Sequence, residues 1–179
     1  MNIDSHRMTS RNSSIVLLSL FVSTGLILFI FEAYIPRPLP WLKPGLANIA
    51  TLLTLYLFDF RAALLVVILR VVIGSLLVGT FLNPAFILAI GGGVMATVVM
   101  AFVKHFFART FSILGISILG AVTHNLVQLL LVYVLIVTQK VIFKLLPLMM
   151  ISALVSGTIV AIITYYLFTQ ICKSKGTMV

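Results

Sequence analysis

Negative charge is nearly missing from this chain: Asp4, Glu32 and Asp59 are its only acidic residues among 179. Three carboxylates so far apart in sequence do not make the cluster that holds Mg²⁺ on a diphosphate. Cysteine occurs once, as Cys172, which excludes an intramolecular disulfide and a thiolate metal cluster. His124 by itself cannot build a zinc site. No glycine-rich loop ends in Lys and Ser or Thr, so the chain carries no P-loop for nucleotide hydrolysis. These absences lead to an expectation of a non-enzymatic protein with no metal or cofactor.

Charge of either sign is scarce, at 8% of residues, while 62% are hydrophobic and the mean hydropathy is +1.28. A soluble fold of this length cannot hide so much apolar surface from water, so the solvent must be lipid. Six runs are read as membrane-crossing: Ser14 to Ile35, Gly45 to Phe58, Ala62 to Leu82, Pro84 to Val103, Phe111 to Val137 and Ile142 to Gln170. Backbone groups in lipid must bond within the protein, and these runs lack the alternation of barrel strands, so helices remain. The second run is the shortest and starts beside Pro44 and Gly45, which leaves a re-entrant segment open. The expected architecture is an all-α integral membrane bundle of six transmembrane helices over residues 14–170, with tails at 1–13 and 171–179.

The net charge of +9 does not indicate nucleic acid, because the basic residues lie at the ends of apolar runs and form no stripe. With the N-terminus inside, Arg7, Arg11, Arg61, Lys104, Arg109, Lys173 and Lys175 fall on the cytoplasmic side, and Arg37, Lys43, Lys140 and Lys144 on the other. Positive-inside bias then predicts both termini in the cytoplasm of a cell membrane. The first run is too long for a signal peptide and has no small-residue cleavage site, so it is expected to remain as a helix.

Between the first two runs, PRPLPWLKP (Pro36 to Pro44) holds four prolines, which deny it helix. Trp41, flanked by Arg37 and Lys43, suits a membrane interface, either as an anchor or over a binding cavity. In the fourth run Ala85, Ala89, Gly93, Thr97 and Ala101 form a row of small residues, beside Gly91 and Gly92; such rows let helices approach closely.

Arg70 is the outlier, because it sits mid-way along the third run, where a cation costs at least ~2.5 kcal/mol. Something in the protein must receive it. On the fifth run Ser117, Gly120, Ala121, His124, Asn125 and Gln128 fall on one side of a helix at spacings of three and four. They form either an interhelical clamp or a site. Glu32 near the end of the first run, Asn48 and Thr51 one turn apart on the second, and Asn83 at the start of the fourth are expected to converge with Arg70. Glu32 reads equally as a counter-charge for Arg70 or Lys43 and as a ligand contact.

The motifs PGLANIATLLTLYL (Pro44 to Leu57), LRVVIGSLLVGT (Leu69 to Thr80), GGGVM (Gly91 to Met95) and GAVTHNLVQ (Gly120 to Gln128) resemble the Gx transporter family, also described as heptaprenyl diphosphate synthase component I. The resemblance covers about Ile15 to Phe168. That family is similar to the substrate-binding S components of energy-coupling factor transporters. The resemblance implies a six-helix, S-component-like subunit that captures a small molecule beneath the loop joining its first two helices. It also implies partners, a transmembrane coupling protein with two ATPases. Carried onto matching motifs, the pocket positions are Asn48, Arg70, His124, Asn125 and Gln128. S components resemble one another in an Ala-x-x-x-Ala face that meets the coupling protein; here Ser19 and Ser23 stand at the nearest match, so small size is kept and the motif is not.

The main expectation is therefore a membrane subunit binding an anionic or polar-headed small molecule. Its alternative is a non-catalytic accessory protein in heptaprenyl diphosphate or isoprenoid quinone metabolism, since prenyl elongation needs clustered Asp residues that this chain lacks. A purely structural assembly factor would explain the small-residue rows, but Arg70 and His124 less easily.

Overall fold

The structure, a computed structural model, describes residues 3–35, 45–136 and 139–174, with side chains over 15–35, 45–136 and 139–173. Among these residues the fold is all-α, with no strand: α1 (Ile3–Tyr34), α2 (Asn48–Leu57), α3 (Phe60–Val78), α4 (Pro84–Phe106), α5 (Ile113–Leu135) and α6 (Leu146–Ser174), the last entered through a 3₁₀ segment Lys140–Leu145. Five helices are long and apolar enough to cross a membrane, and α2 is not. The six helices expected are present among the described residues, and five of them have the length to cross. The ten residues of α2 rise about 15 Å, half of a ~30 Å hydrocarbon core.

The helix ends follow local chemistry. Asp59 starts α3 by accepting the Ala62 N–H at 2.7 Å, and Ser112 starts α5 by accepting that of Gly115 at 3.4 Å; each satisfies a donor that the first turn leaves orphaned. Gly79 ends α3 in the left-handed region at φ 73°, where an L side chain is disfavoured. That stop falls four residues before the apolar run itself ends at Leu82. Asn83 and Pro84 open α4 as N-cap and first helical residue.

Packing places α4 against α5, α5 against α6, and α1 beside α3, with α2 reaching α1, α3 and α6. The small-residue row of α4 faces inward, with Ala89, Gly93 and Thr97 buried and Ala101 half-buried; Ala85 alone in the row is exposed. Gly157 brings α6 against the α5 backbone: a Cβ there would sit 2.9 Å from Ile118 Cα. The Ser117 hydroxyl uses that proximity to donate to the Gly157 carbonyl at 2.7 Å.

The depth of α2 positions the site. A Cβ on Gly25 would lie 3.2 Å from Ala50 Cβ and 3.3 Å from Arg70 Cδ, so these three residues share a level. From that level α1 runs on to Tyr34, about 14 Å at ~1.5 Å per residue, whereas α2 starts at Asn48 only ~3 Å away. The N-terminus of α2 therefore lies roughly 10 Å inside the Tyr34 end of the bundle. At its other end the Lys104 ammonium donates to the Leu55 carbonyl at 2.5 Å and stands 4.7 Å from the centre of the Tyr56 ring. A cation thus occupies the C-terminal end of α2, where carbonyls lack helical partners.

Candidate functional site

Arg70 is 3% exposed, and its reception begins with Asn48. One terminal nitrogen of the guanidinium donates to Asn48 Oδ1 at 2.6 Å. Because Arg only donates, Asn48 must turn its oxygen to it and keeps its amide nitrogen as a further donor. The Arg70 Nε has no hydrogen-bond partner. The opposite charge comes from Glu32, 2% exposed, whose Oε1 accepts the Ala47 N–H at 3.3 Å and whose field reaches Arg70. A buried cation held by a hydrogen bond and a nearby carboxylate is the arrangement that makes a charge tolerable at this depth.

These groups enclose a cavity of about 20 Å³ lined by Phe29, Glu32, Gly45, Asn48, Arg70, Val71, Ala89 and His124. Four of the residues expected to converge, from α1, α2, α3 and α5, do so. The volume holds about one water molecule, against the several hundred Å³ of a usual ligand pocket. A larger ligand enters only if the walls part.

The glycines of GGGVM explain how residues from α3 and α5 meet there. A Cβ on Gly93 would be 3.0 Å from Val67 Cγ1 and 3.9 Å from an Arg70 guanidinium nitrogen. One on Gly92 would be 3.0 Å from His124 Cε1 and 3.2 Å from Gln128 Cγ. Successive positions of α4 are thus bare toward Arg70 on one side and His124 on the other. Any side chain at Gly92 would press on the imidazole. Neighbouring glycines in the sequence signal close approach, but not whose.

The chain matches the family model of heptaprenyl diphosphate synthase component I over residues 21–167. The protein belongs to that family. The matched span contains every residue lining the cavity. No curated protein and no solved structure matches it.

The other expected site residues divide. Gln128 is buried beside Gly92 and its Oε1 has no partner. Thr51 is fully buried, its hydroxyl without a partner, and does not line the cavity. Asn125 turns away, donating from Nδ2 to the Met149 carbonyl of α6 at 2.8 Å. The polar side of α5 is therefore shared: Ser117 and Asn125 hold α6, while His124 and Gln128 face α4. Asn83 is exposed at the start of α4, makes no side-chain cap and stands outside the cavity wall. Trp41 and the rest of Pro36 to Pro44 lie outside the described residues. Ser19 and Ser23 are exposed on α1. A larger groove of about 430 Å³ lies between the start of α5 and the end of α6, lined by Ser112, Ile113, Leu114, Ala161, Ile162 and Tyr165; its nearly all-apolar wall suits lipid chains.

Proposed function

We propose that this protein is a non-catalytic membrane subunit that binds a small molecule at the Arg70 cavity and has an accessory role in heptaprenyl diphosphate or isoprenoid quinone metabolism. The observation that carries the binding half is the buried Arg70, whose Nε has no hydrogen-bond partner and which lines a cavity with Glu32, Asn48 and His124. The family match supports the accessory half. The acidic residues support the absence of catalysis: Glu32 is engaged with Ala47 and Asp59 with Ala62, and neither is beside another Asp or Glu in sequence. Binding anything larger than water includes a movement of the cavity walls.

A second reading is an S-component-like capture subunit, of the Gx transporter type, working with a coupling protein and two ATPases. It is favoured by the polar cavity inside the membrane domain and by the exposed small residues Ser19 and Ser23 on α1. Both readings share one test. The detergent-purified chain is examined by native mass spectrometry for retained small molecules and incubated with Mg²⁺, a prenyl diphosphate and isopentenyl diphosphate. A retained compound lost on Arg70→Lys and no chain elongation are expected. Elongation by the pure protein overturns the non-catalytic reading, and retention unaffected by Arg70→Lys overturns the site. Uptake into vesicles only when a coupling module is present decides for the second reading.

A further inference from the structure

We propose that the groove between the start of α5 and the end of α6 holds one anionic phospholipid of the surrounding bilayer, its chains in the groove and its phosphate toward Arg109 and Lys173. The site is separate from the Arg70 cavity and does not depend on what that cavity binds.

The groove follows from how the two helices meet. They touch where Gly157 comes against the Ile118 backbone and its carbonyl accepts from Ser117. One turn further, toward the start of α5 and the end of α6, they part and leave about 430 Å³. Ala161, 2% exposed, forms the floor, while Leu114, Ile162 and Tyr165 are exposed flanks that open the recess to the outside of the bundle. The volume is that of an ordinary ligand pocket. On α6 the lining runs only from Ala161 to Tyr165, about 6 Å at ~1.5 Å per residue. A partner helix, ~10 Å across and seated along its length, does not fit a recess that closes at Gly157. Flexible chains do. Left empty, the lining would forgo its dispersion contacts, and the neighbouring lipid can supply them. A short, wide recess suits two chains side by side better than one long chain laid end to end.

The charges beyond the groove select the head. Arg109 is exposed in the α4–α5 connection, three residues before Ser112 of the groove wall. Lys173 is exposed on α6, eleven residues after Ile162, which puts it three turns along the same face and about 16 Å beyond. Both lie past the groove toward the helix ends, where the membrane interface begins. The whole chain has only three acidic residues. Glu32 is buried at the Arg70 cavity, and Asp59 caps α3, which packs on α1, α2 and α4. Among side-chain carboxylates only that of Asp4 is left to offset the two cations. Each basic residue at a membrane surface favours an anionic lipid about fivefold. Tyr165, with an apolar ring and a polar tip, suits the level between chains and head.

The test adds equimolar dioleoyl phosphatidylglycerol and dioleoyl phosphatidylcholine to the full-length protein in detergent and counts retained lipids by native mass spectrometry. One phosphatidylglycerol is expected to be retained, in preference to phosphatidylcholine by about fivefold or more. Arg109→Gln is expected to cut that preference about fivefold. Ile162→Trp fills the groove from a position 62% exposed and is expected to abolish retention of both lipids. Ile151→Trp, 61% exposed on the same helix but outside the groove, is expected to leave retention unchanged. Arg70→Lys is expected to leave it unchanged too, so failure of the Arg70 site and failure of this one are told apart. No retained lipid, equal retention of the two lipids, or retention that Ile162→Trp and Ile151→Trp alter alike overturns the proposal. Displacement of phosphatidylglycerol by equimolar farnesyl diphosphate overturns it in favour of a prenyl diphosphate, and a wild-type dimer that Ile162→Trp splits overturns it in favour of a second copy of this chain.

Discussion

Replacing Arg70 by Met measures how far the buried charges depend on each other. The change keeps most of the apolar stem against Gly25 and removes the guanidinium. The bond to Asn48 is lost, a charge-assisted one worth about 1.5 to 3 kcal/mol. Glu32, 2% exposed, is left without the cation whose field it shared, and breaking a buried pair from one side costs about 3 to 5 kcal/mol. The two costs overlap, and Met relieves the unpartnered Nε, so a net loss of roughly 3 kcal/mol is expected. Glu32→Gln is expected to destabilise by a similar mechanism, leaving Arg70 with no counter-charge. The double variant, with neither charge, is expected to be more stable than the sum of the single losses by about 1 to 3 kcal/mol. Reversible unfolding of the detergent-solubilised protein with increasing dodecyl sulfate reads all four corners of this cycle. Losses that add to within about 0.5 kcal/mol would show that the two charges do not sense each other.

Three further outcomes are expected. Gly157→Ala places a Cβ 2.9 Å from the Ile118 backbone; overpacking of about 1 to 3 kcal/mol outweighs the helix-propensity gain of up to ~1 kcal/mol, so the melting temperature falls. A rise would mean that α5 and α6 separate at little cost. Lys104→Met removes the hydrogen bond to Leu55 and the contact with the Tyr56 ring and is expected to cost about 1 to 3 kcal/mol. Hydrogen exchange of the last turn of α2 is expected to speed up with it, and unchanged exchange there refutes the pinning of that helix. For sidedness, Trp41→Cys is expected to react with an impermeant maleimide in intact cells while Cys172 reacts only after permeabilisation; the opposite pattern inverts the orientation.

The sequence by itself determined the solvent, the helical class and the anomaly at Arg70. Those follow from hydropathy, from the need to satisfy backbone groups in lipid, and from the cost of one charge, none of which depends on what packs where. It also determined which side of α5 is polar, since a period of 3.6 residues groups Ser117, His124, Asn125 and Gln128 without reference to neighbours. Only the tertiary structure decided how that side is divided, with Asn125 bonded to Met149 of α6 and His124 turned toward Gly92 of α4. The helical period says which residues share a face, but a face about a third of a turn wide can meet two helices at once. The same limit applies to α2 and Lys104. An apolar run from Gly45 to Phe58 reads as a membrane crossing, yet α2 begins inside the bundle, where Glu32 binds its N-cap Ala47 and Arg70 its first residue Asn48. Lys104 reads as an ordinary end charge, yet it reaches a carbonyl 49 residues earlier in the chain. Contacts between residues so far apart in sequence leave no local pattern, and they fixed both the depth of the site and the smallness of its cavity.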